Sequence, residues 1–256
     1  MAKLLFNIYF GIAFILLTVF GLAILPLILL INGLVLQRDL ATGLRRSIRF
    51  YGWIIVCCIP FKEPVRVEYS SGEPPVPAIF VANHNSAIDP YLFGAVAHEN
   101  SFVTSWPFKI PLYSIFMKLA QYANSADGWD EVSKKCAALL QAGSSVTIWP
   151  EGHRSRDGKL GRFKNGAFVL AAETGHPIVP VCILGSGDVM PPGSRMLTPG
   201  KVRLVILEPI FPELHEEKQT RIRNLRIKCH TAILQSLEDH GHFQVSNTEQ
   251  EPLFSP

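Results

Sequence analysis

Charge is scarce in this 256-residue chain, and its first part has almost none. Charged residues make up 18% of the sequence and hydrophobic residues 48%, a composition too apolar for an intrinsically disordered protein. From Leu4 to Leu36 there are 33 residues without Asp, Glu, Lys, Arg or His. A run of this length predicts a membrane segment, whereas a cleaved signal peptide has an apolar stretch of only about 7–15 residues.

The sequence also lacks the patterns of several enzyme and metal-site classes. Its five cysteines are scattered and form no C-x-x-C pair that could hold zinc. Reduced thiols in a protein facing the cytoplasm are the expected state. Neither the serine-nucleophile pattern G-x-S-x-G nor the phosphate-loop ending G-K-[ST] occurs. We therefore predict no metal site and no bound cofactor.

The charge that is present is unevenly placed. Residues 1–61 carry a net charge of +4, made by Lys3, Arg38, Arg45, Arg46 and Arg49 against Asp39. Since the whole chain is +3, the remaining 195 residues sum to 3 − 4 = −1. A nearly neutral globular part argues against nucleic acid as a partner. Basic residues after the first apolar run predict that the rest of the chain lies on the cytoplasmic face of the inner (plasma) membrane.

Two apolar segments near the N-terminus predict a two-helix membrane anchor. As a helix, the first would be about 50 Å long, well beyond the roughly 30 Å hydrocarbon core, so we expect it to bend, tilt or re-enter near Pro26. The second, Phe50 to Phe61, is too short to span a bilayer and is predicted to lie shallowly after a basic linker, 37–49. Three arginines are expected to hold it at anionic headgroups, namely Arg45, Arg46 and Arg49.

Beyond this anchor, apolar β-rich runs alternate with stretches of helical periodicity, which predicts an α/β fold. Strands are expected over 78–82, 101–105, 145–149, 178–184 and 202–207, and helices near 90–98, 111–122, 130–141 and 164–174. A last amphipathic helix is predicted by an apolar stripe comprising Ile222, Leu225, Cys229, Ile233 and Leu237.

The first candidate site follows the strand that ends near Ala82. His84 comes directly after this strand and Asp89 follows five residues later. A turn could fold the carboxylate back onto one imidazole nitrogen, which would leave the other nitrogen free as a base. Alternatively, Asp89 before Pro90 is typical of a helix start, and His84 is then an ordinary surface residue.

The second candidate site is a glycine-rich loop that begins at Trp149. Five basic residues and one acidic residue give it a net charge of +4 over eleven residues: Arg154, Arg156, Lys159, Arg162 and Lys164 against Asp157. Glycines let backbone amides approach a phosphate, and arginine supplies a two-pronged charged donor. The loop is either an anion cradle or a solvated basic loop.

These blocks resemble the glycerolipid acyltransferases, a family that includes bacterial 1-acylglycerol-3-phosphate acyltransferase. The family's H-x-x-x-x-D motif matches His84 and Asp89. Its F-P-E-G-T-R-S motif matches Trp149, Pro150, Glu151, Gly152, Arg154 and Ser155, with His153 in place of threonine. The blocks F-K-x-G-A and P-I-V-P-V match 163–167 and 177–181.

The resemblance implies a mixed sheet flanked by helices that transfers a fatty acyl group from acyl-CoA or acyl carrier protein. The implied acceptor is a hydroxyl of a lysophospholipid in the membrane, foremost 1-acylglycerol-3-phosphate. His84 is then the general base and Asp89 orients it. Four residues would position the acceptor phosphate, namely Glu151, Gly152, Arg154 and Lys164, and Pro180 would line the acyl-donor side. The implied organisation is a membrane anchor at 1–61, a catalytic domain at 62–239 and a mobile tail at 240–256.

One family block is missing, and three other functions stay open. The block F-I-x-R should fall near 121–125, where this chain has no arginine. That arginine is associated with holding the acceptor phosphate, so a monoacylated lipid is favoured over glycerol-3-phosphate, and a lyso-aminolipid acceptor is an alternative. The other two alternative functions are a membrane-bound thioesterase or lipase and a non-catalytic module that binds anionic lipids.

Overall fold

A seven-stranded mixed sheet organises the chain in the computed structural model, which describes residues 2–59, 63–155 and 157–241. Its strands are β1 (Arg66–Tyr69), β2 (Ile79–Ala82), β3 (Asn100–Thr104), β4 (Ala123–Asn124), β5 (Ser145–Ile148), β6 (Ile178–Leu184) and β7 (Arg203–Ile206). They lie in the order β1-β7-β6-β2-β5-β3-β4. Strands β6, β2, β5, β3 and β4 are parallel, whereas β7 runs antiparallel to β6. The predicted mixed sheet is confirmed.

Eight α-helices accompany the sheet in the described residues. They are α1 (Ala2–Leu34), α2 (Leu40–Trp53), α3 (Asp89–Leu92), α4 (Pro111–Leu119), α5 (Trp129–Gln141), α6 (Gly166–Thr174), α7 (Ser186–Val189) and α8 (Lys218–Asp239). A π-helical segment, Ile54–Cys58, continues α2, and short 3₁₀ turns occupy Phe93–Ala95 and Trp106–Lys109. The helix predicted near 90–98 is thus one turn of α3 followed by a 3₁₀ turn.

The three central strands are buried at every position, which explains their continuous apolar sequences. Alternate side chains of these strands enter two cores, one on each face of the sheet. On the first face, called the α8 face, Ile79 and Val81 pack with α5, α6 and α8. On the second, called the α2 face, Phe80 and Ala82 pack with the π-helical segment and α3. The apolar stripe of α8 is buried as predicted.

Helix α1 is continuous through Pro26 and is the one helix of the described residues that is long and apolar enough to cross a membrane by length and composition. No residue of α1 is fully buried, yet one side of it contacts the α2 face. The Asn7 side chain donates to the Leu197 carbonyl and accepts from the Leu197 amide, both at 2.8 Å. The Thr18 and Tyr51 hydroxyls are 2.6 Å apart.

Helix α2 differs from the predicted shallow second helix, which was placed at 50–61 after a basic linker. It begins at Leu40, after Asp39 accepts a hydrogen bond from the Thr42 amide at 3.0 Å. Leu44 of α2 and Ile55 of the following segment lie in the core of the sheet domain. The contacts therefore join this segment to the sheet domain. A two-helix anchor is not confirmed, and the division at residue 61 stays a prediction, with 60–62 outside the described residues.

Arg45 lies inside the protein, contrary to the prediction that it contacts headgroups. Its side chain is 3% exposed. The guanidinium pairs with Glu99 and donates to the Ala120 carbonyl at 3.1 Å and to the Ser144 hydroxyl at 2.9 Å. A buried charge must be paired in this way because desolvation is costly. Of the three arginines that were predicted to contact anionic headgroups, only Arg46 is exposed.

Helix α2 also crosses the 3₁₀ turn after α3 at very short range. A Cβ atom added to Gly94 would lie 2.3 Å from the Trp53 amide nitrogen, and one added to Gly52 would lie 3.2 Å from the Tyr91 carbonyl oxygen. Arg49 donates to the Gly94 carbonyl at 3.3 Å. Two glycines thus let α2 support the helix that begins with Asp89.

The predicted end of the catalytic domain at residue 239 stays a prediction. Helix α8 ends at Asp239, and the predicted tail at 240–256 falls mostly beyond residue 241, outside the described residues.

Candidate active site

The site lies where two neighbouring parallel strands end. In the register of β2 and β5, Val81 faces Ile148, so the residues that follow both strands emerge at the same edge. His84 is two residues beyond β2, and the loop from Trp149 follows β5 directly. The carboxyl ends of parallel strands are where open α/β sheets place ligands. The topology therefore brings the two predicted sites together.

His84 and Asp89 form a hydrogen-bonded pair. The Nδ1 atom of His84 is 2.8 Å from Oδ2 of Asp89, which is fully buried. The same oxygen accepts from the Asn85 and Ser86 amides, each at 2.9 Å. A carboxylate held in this way fixes the ring with Nδ1 as donor, so Nε2 carries the lone pair. His84 is 19% exposed, which leaves its ring accessible to substrate.

Glu151 joins the two loops through the backbone of His84. Its Oε1 accepts from the His84 amide and its Oε2 from the Gly161 amide, both at 2.9 Å. The Ser155 amide donates to the His84 carbonyl at 2.7 Å. Burial raises the pKa of the Glu151 carboxyl, and the two backbone hydrogen bonds oppose this rise. Because both oxygens are already occupied, this structure gives Glu151 a role in holding His84 in place.

Trp149 covers one side of the His84 ring. The ring centroids of His84 and Trp149 are 5.1 Å apart with a tilt of 33°. Trp149 is itself packed against Phe93 and Phe102, so this wall of the site is rigid and apolar. From the sequence, Trp149 was predicted only as part of the loop motif. Trp149 directly follows β5, and β5 lies beside the strand that leads to His84. This position in the sequence is the signal that places Trp149 at the site.

Three predicted phosphate-binding residues lie together in the β5 loop. Gly152 has φ +76°, a left-handed conformation that favours glycine. The Lys164 ammonium lies over it, 2.6 Å from where a Cβ would stand. Among the described residues, neither Lys164 nor the partly exposed Arg154 forms an ion pair. Two uncompensated cations beside a glycine backbone can bind an anion. Arg156 lies outside the described residues.

Pro180 is not brought to this site. It stands in the middle of β6, opposite Val81 of β2, and its carbonyl accepts from the Leu207 amide at 2.9 Å. It is buried within the sheet, several residues before the edge where His84 lies. This placement does not support the predicted contact between Pro180 and the acyl donor.

The family block that lacks its arginine was expected near 121–125. The expected block falls on the edge strand β4, where the Asn124 side chain donates to Asp127 at 2.7 Å. The described residues contain no group of histidines, cysteines and carboxylates that could hold a metal ion.

Comparisons with known proteins agree with this geometry. Residues 65–184 match the Acyltransferase family. The chloroplastic 1-acyl-sn-glycerol-3-phosphate acyltransferase of Brassica napus is 35% identical over 166 residues, 62% of this chain and 48% of that protein. The Salmonella typhimurium 1-acyl-sn-glycerol-3-phosphate acyltransferase is 26% identical over 63% of this chain and 67% of its own. The chain spans about half the length of the plant relatives it matches first.

A solved structure extends the likeness to nearly the whole chain. The crystal structure of the 1-acyl-sn-glycerophosphate acyltransferase from Thermotoga maritima superposes with a TM-score of 0.62 at 25% identity, covering 93% of this chain and all of that one. The likeness therefore includes the N-terminal helices as well as the sheet.

Proposed function

We propose that this chain, whose residues 65–184 match the Acyltransferase family, transfers a fatty acyl group from a thioester to a hydroxyl of a lysophospholipid. The proposed acceptor is 1-acylglycerol-3-phosphate, the compound named in its relatives. The observation that carries the proposal is the 2.8 Å contact between His84 Nδ1 and a fully buried Asp89, beside a loop with uncompensated cations.

The reaction begins with removal of the acceptor's proton by Nε2 of His84. The hydroxyl oxygen then attacks the thioester carbonyl and forms a tetrahedral intermediate. Its collapse breaks the carbon–sulfur bond, forms the new ester, and the leaving thiolate takes the proton back from the imidazolium. Asp89 stabilises that imidazolium and keeps the ring in place. We propose no resident cofactor, because the thioester is already activated.

The β5 loop would position the acceptor through its phosphate. Arg154 offers a forked donor and Lys164 a point charge above Gly152, and phosphate is recognised by such combinations. Holding the acceptor hydroxyl near His84 contributes to rate by orientation, separately from the base itself. The thioester donor is acyl-CoA or acyl carrier protein.

We propose that α1 places this site at the cytoplasmic surface of a membrane. Its side away from the sheet exposes a stripe of large apolar residues that includes Leu4, Ile8, Ile15, Val19, Leu27 and Leu34. The acceptor and the product are amphiphiles of the bilayer, while the donor arrives from water, so an active site held at the boundary meets both. Carbonate washing should leave the full chain in the membrane fraction, and its release would refute this placement.

The function is tested by incubating the full chain in detergent with each labelled acyl thioester and a panel of lysolipids. We expect a diacyl product from 1-acylglycerol-3-phosphate, with less from lyso-aminolipids. Free fatty acid released at the same rate with and without acceptor would indicate a thioesterase instead. Lipid binding without turnover would indicate a binding module and would overturn the proposal.

A further inference from the structure

Ser86 connects the turn from His84 to Asp89, called the His84–Asp89 turn, to another loop of the protein. It is fully buried. Its amide donates at 2.9 Å to Oδ2 of Asp89, the same oxygen that lies 2.8 Å from His84 Nδ1. Its hydroxyl donates to the Met190 carbonyl at 2.7 Å and accepts from the Ile88 amide at 3.4 Å. One buried residue thus holds the Asp89 carboxylate and ties the turn to the segment that follows α7.

That segment leaves the sheet at the edge where His84 lies. Helix α7 begins two residues after the end of β6, and β6 runs parallel to β2. After α7, the Thr198 amide donates to the Val189 carbonyl at 2.8 Å. This hydrogen bond closes the residues between them into a loop, called the 190–197 loop. Ser86 therefore bonds to the first residue of this loop.

Asn7 of α1 holds the last residue of the 190–197 loop. Its side chain donates to the Leu197 carbonyl and accepts from the Leu197 amide, both at 2.8 Å. It also donates to the Lys3 carbonyl at 2.8 Å. Asn7 lies in the charge-free run of the sequence, where a polar side chain is unfavourable unless it is hydrogen-bonded. These three bonds satisfy the amide and fix Leu197 to α1.

We propose that Asn7 and Ser86 are positioning residues, which hold the His84 imidazole in a fixed place relative to α1. The inference rests on the proposed function, in which His84 is the base and α1 lies at the membrane. The acceptor is a lipid, so its hydroxyl reaches the site from the membrane surface. A base that must meet this hydroxyl gains rate from being fixed to the helix that meets the membrane.

The test compares Asn7→Leu, Ser86→Ala and the variant with both changes, by initial rates of diacyl product formation. A displacement of 1 Å can cost about 10²-fold in rate, so we expect kcat to fall about tenfold in each single variant, with both KM values nearly unchanged. The double variant should lose no more than the larger single loss. Once one link is broken, the other no longer acts on the turn, and such non-additivity is the evidence that two residues are coupled.

A second readout does not depend on turnover. The Asn85 and Ser86 amides donate to the Asp89 carboxylate, so they should exchange slowly with deuterium while the turn is held. In Asn7→Leu, a peptide covering 82–92 should exchange about fivefold faster or more. A contact that only stabilises α1 would change exchange in α1 and the 190–197 loop, and this result would overturn the inference.

Asn32→Leu is the matched control, because it makes the same change near the other end of α1. Asn32 donates to the Ile28 carbonyl at 2.8 Å and accepts from Arg38 at 3.2 Å, both within the N-terminal segment. It should keep the wild-type kcat and the wild-type exchange of 82–92. An equal kcat loss in this control overturns the inference, and so do single losses that multiply in the double variant.

The two proposals fail in different ways. A wild-type kcat in Asn7→Leu overturns this inference and leaves the proposed function intact. No acyl transfer by the wild type to any lysolipid overturns the proposed function, and the exchange of 82–92 then still decides whether α1 holds the turn.

Discussion

The loops after β2 and β5 meet at one edge of the sheet, yet their charged groups differ in burial and in pairing. In the β2 loop the carboxylate of Asp89 is buried and its Oδ2 atom accepts three hydrogen bonds. In the β5 loop Arg154 and Lys164 have no acidic partner among the described residues. A base must be held in one orientation, whereas a charge that binds a ligand must not be neutralised beforehand. We propose that this contrast separates a catalytic loop from a binding loop.

The largest effect is expected when His84, the proposed base, is removed. His84→Ala should lower kcat by about 10²–10⁴-fold, the usual contribution of general-base catalysis, while the KM of the acceptor changes little. The measurement is the initial rate of diacyl product formation under saturating donor.

His215→Ala is the matched control, because that histidine is exposed and lies far along the chain from the site. Both variants should remain in the membrane fraction. Substantial residual activity in the first variant would remove His84 from its assigned role.

The connection between the loops is tested at Glu151. Glu151→Ala leaves the His84 and Gly161 amides without their acceptor, at a cost of about 1–3 kcal/mol for each buried group. It also frees His84 to shift, and a displacement of 1 Å can cost about 10²-fold in rate. We therefore expect a lower melting temperature together with a kcat loss of that order.

Glu151→Gln should recover part of both properties, since the amide keeps one acceptor oxygen. Alternatively, if Glu151 acted only on the acceptor phosphate, the alanine variant would raise KM and leave the melting temperature unchanged.

The binding loop predicts a different kinetic signature. Arg154→Ala should raise the KM of a phosphate-bearing acceptor by about 10- to 100-fold, which corresponds to the roughly 1.5–3 kcal/mol of a hydrogen bond to a charged group. It should hardly affect kcat. Arg154→Lys should restore part of the affinity, because it keeps the charge but loses the fork.

A lysolipid without an anionic headgroup gives the control for that variant. Its KM should be the same in the wild-type and Arg154→Ala proteins. A fall in kcat with both acceptors would assign Arg154 to the chemical step.

The central features of the fold could be predicted from the sequence because they depend on local patterns. Strands β2, β5 and β6 are continuous apolar runs, and the stripe of α8 repeats at helical spacing. The His84–Asp89 contact closes over only five residues, within a single turn. Short strands are harder to predict, and both β1 and β4 were missed because four and two residues carry too little pattern.

Contacts between distant parts of the chain could not be predicted in this way. Arg45 was expected at the membrane surface because it follows an apolar run. Its actual partners, Glu99 and Ser144, lie 54 and 99 residues further along. Glu151 similarly bonds the His84 amide 67 residues earlier. The motif marked Glu151 as important, but only the folded chain shows that it acts on the protein's own backbone.

The β2 loop should also depend on α2 in a way that the β5 loop does not. Gly94→Ala would place a Cβ 2.3 Å from the backbone nitrogen of Trp53. Because backbone cannot move aside cheaply, we expect a destabilisation of about 1–3 kcal/mol, measured as a lower melting temperature. Gly11→Ala is the control, since nothing lies within 4 Å of the added atom. Equal melting temperatures would show that the α2 crossing does not support the site.

The smallest expected effect concerns His230 of α8, whose ring centroid lies 4.8 Å from that of Phe163 in the loop after β5 and whose ring donates to the Gly161 carbonyl. Burial lowers the pKa of His230 in the folded protein, so between its folded and unfolded pKa values the unfolded chain binds more protons. The stability that depends on neutral His230 is therefore complete above about pH 6.5, the usual histidine pKa, and is lost as the pH falls through the folded pKa. His230→Gln keeps a donor for the Gly161 carbonyl but cannot titrate. Its melting temperature should fall less than that of the wild type between pH 7.5 and 5, and parallel curves would contradict this assignment.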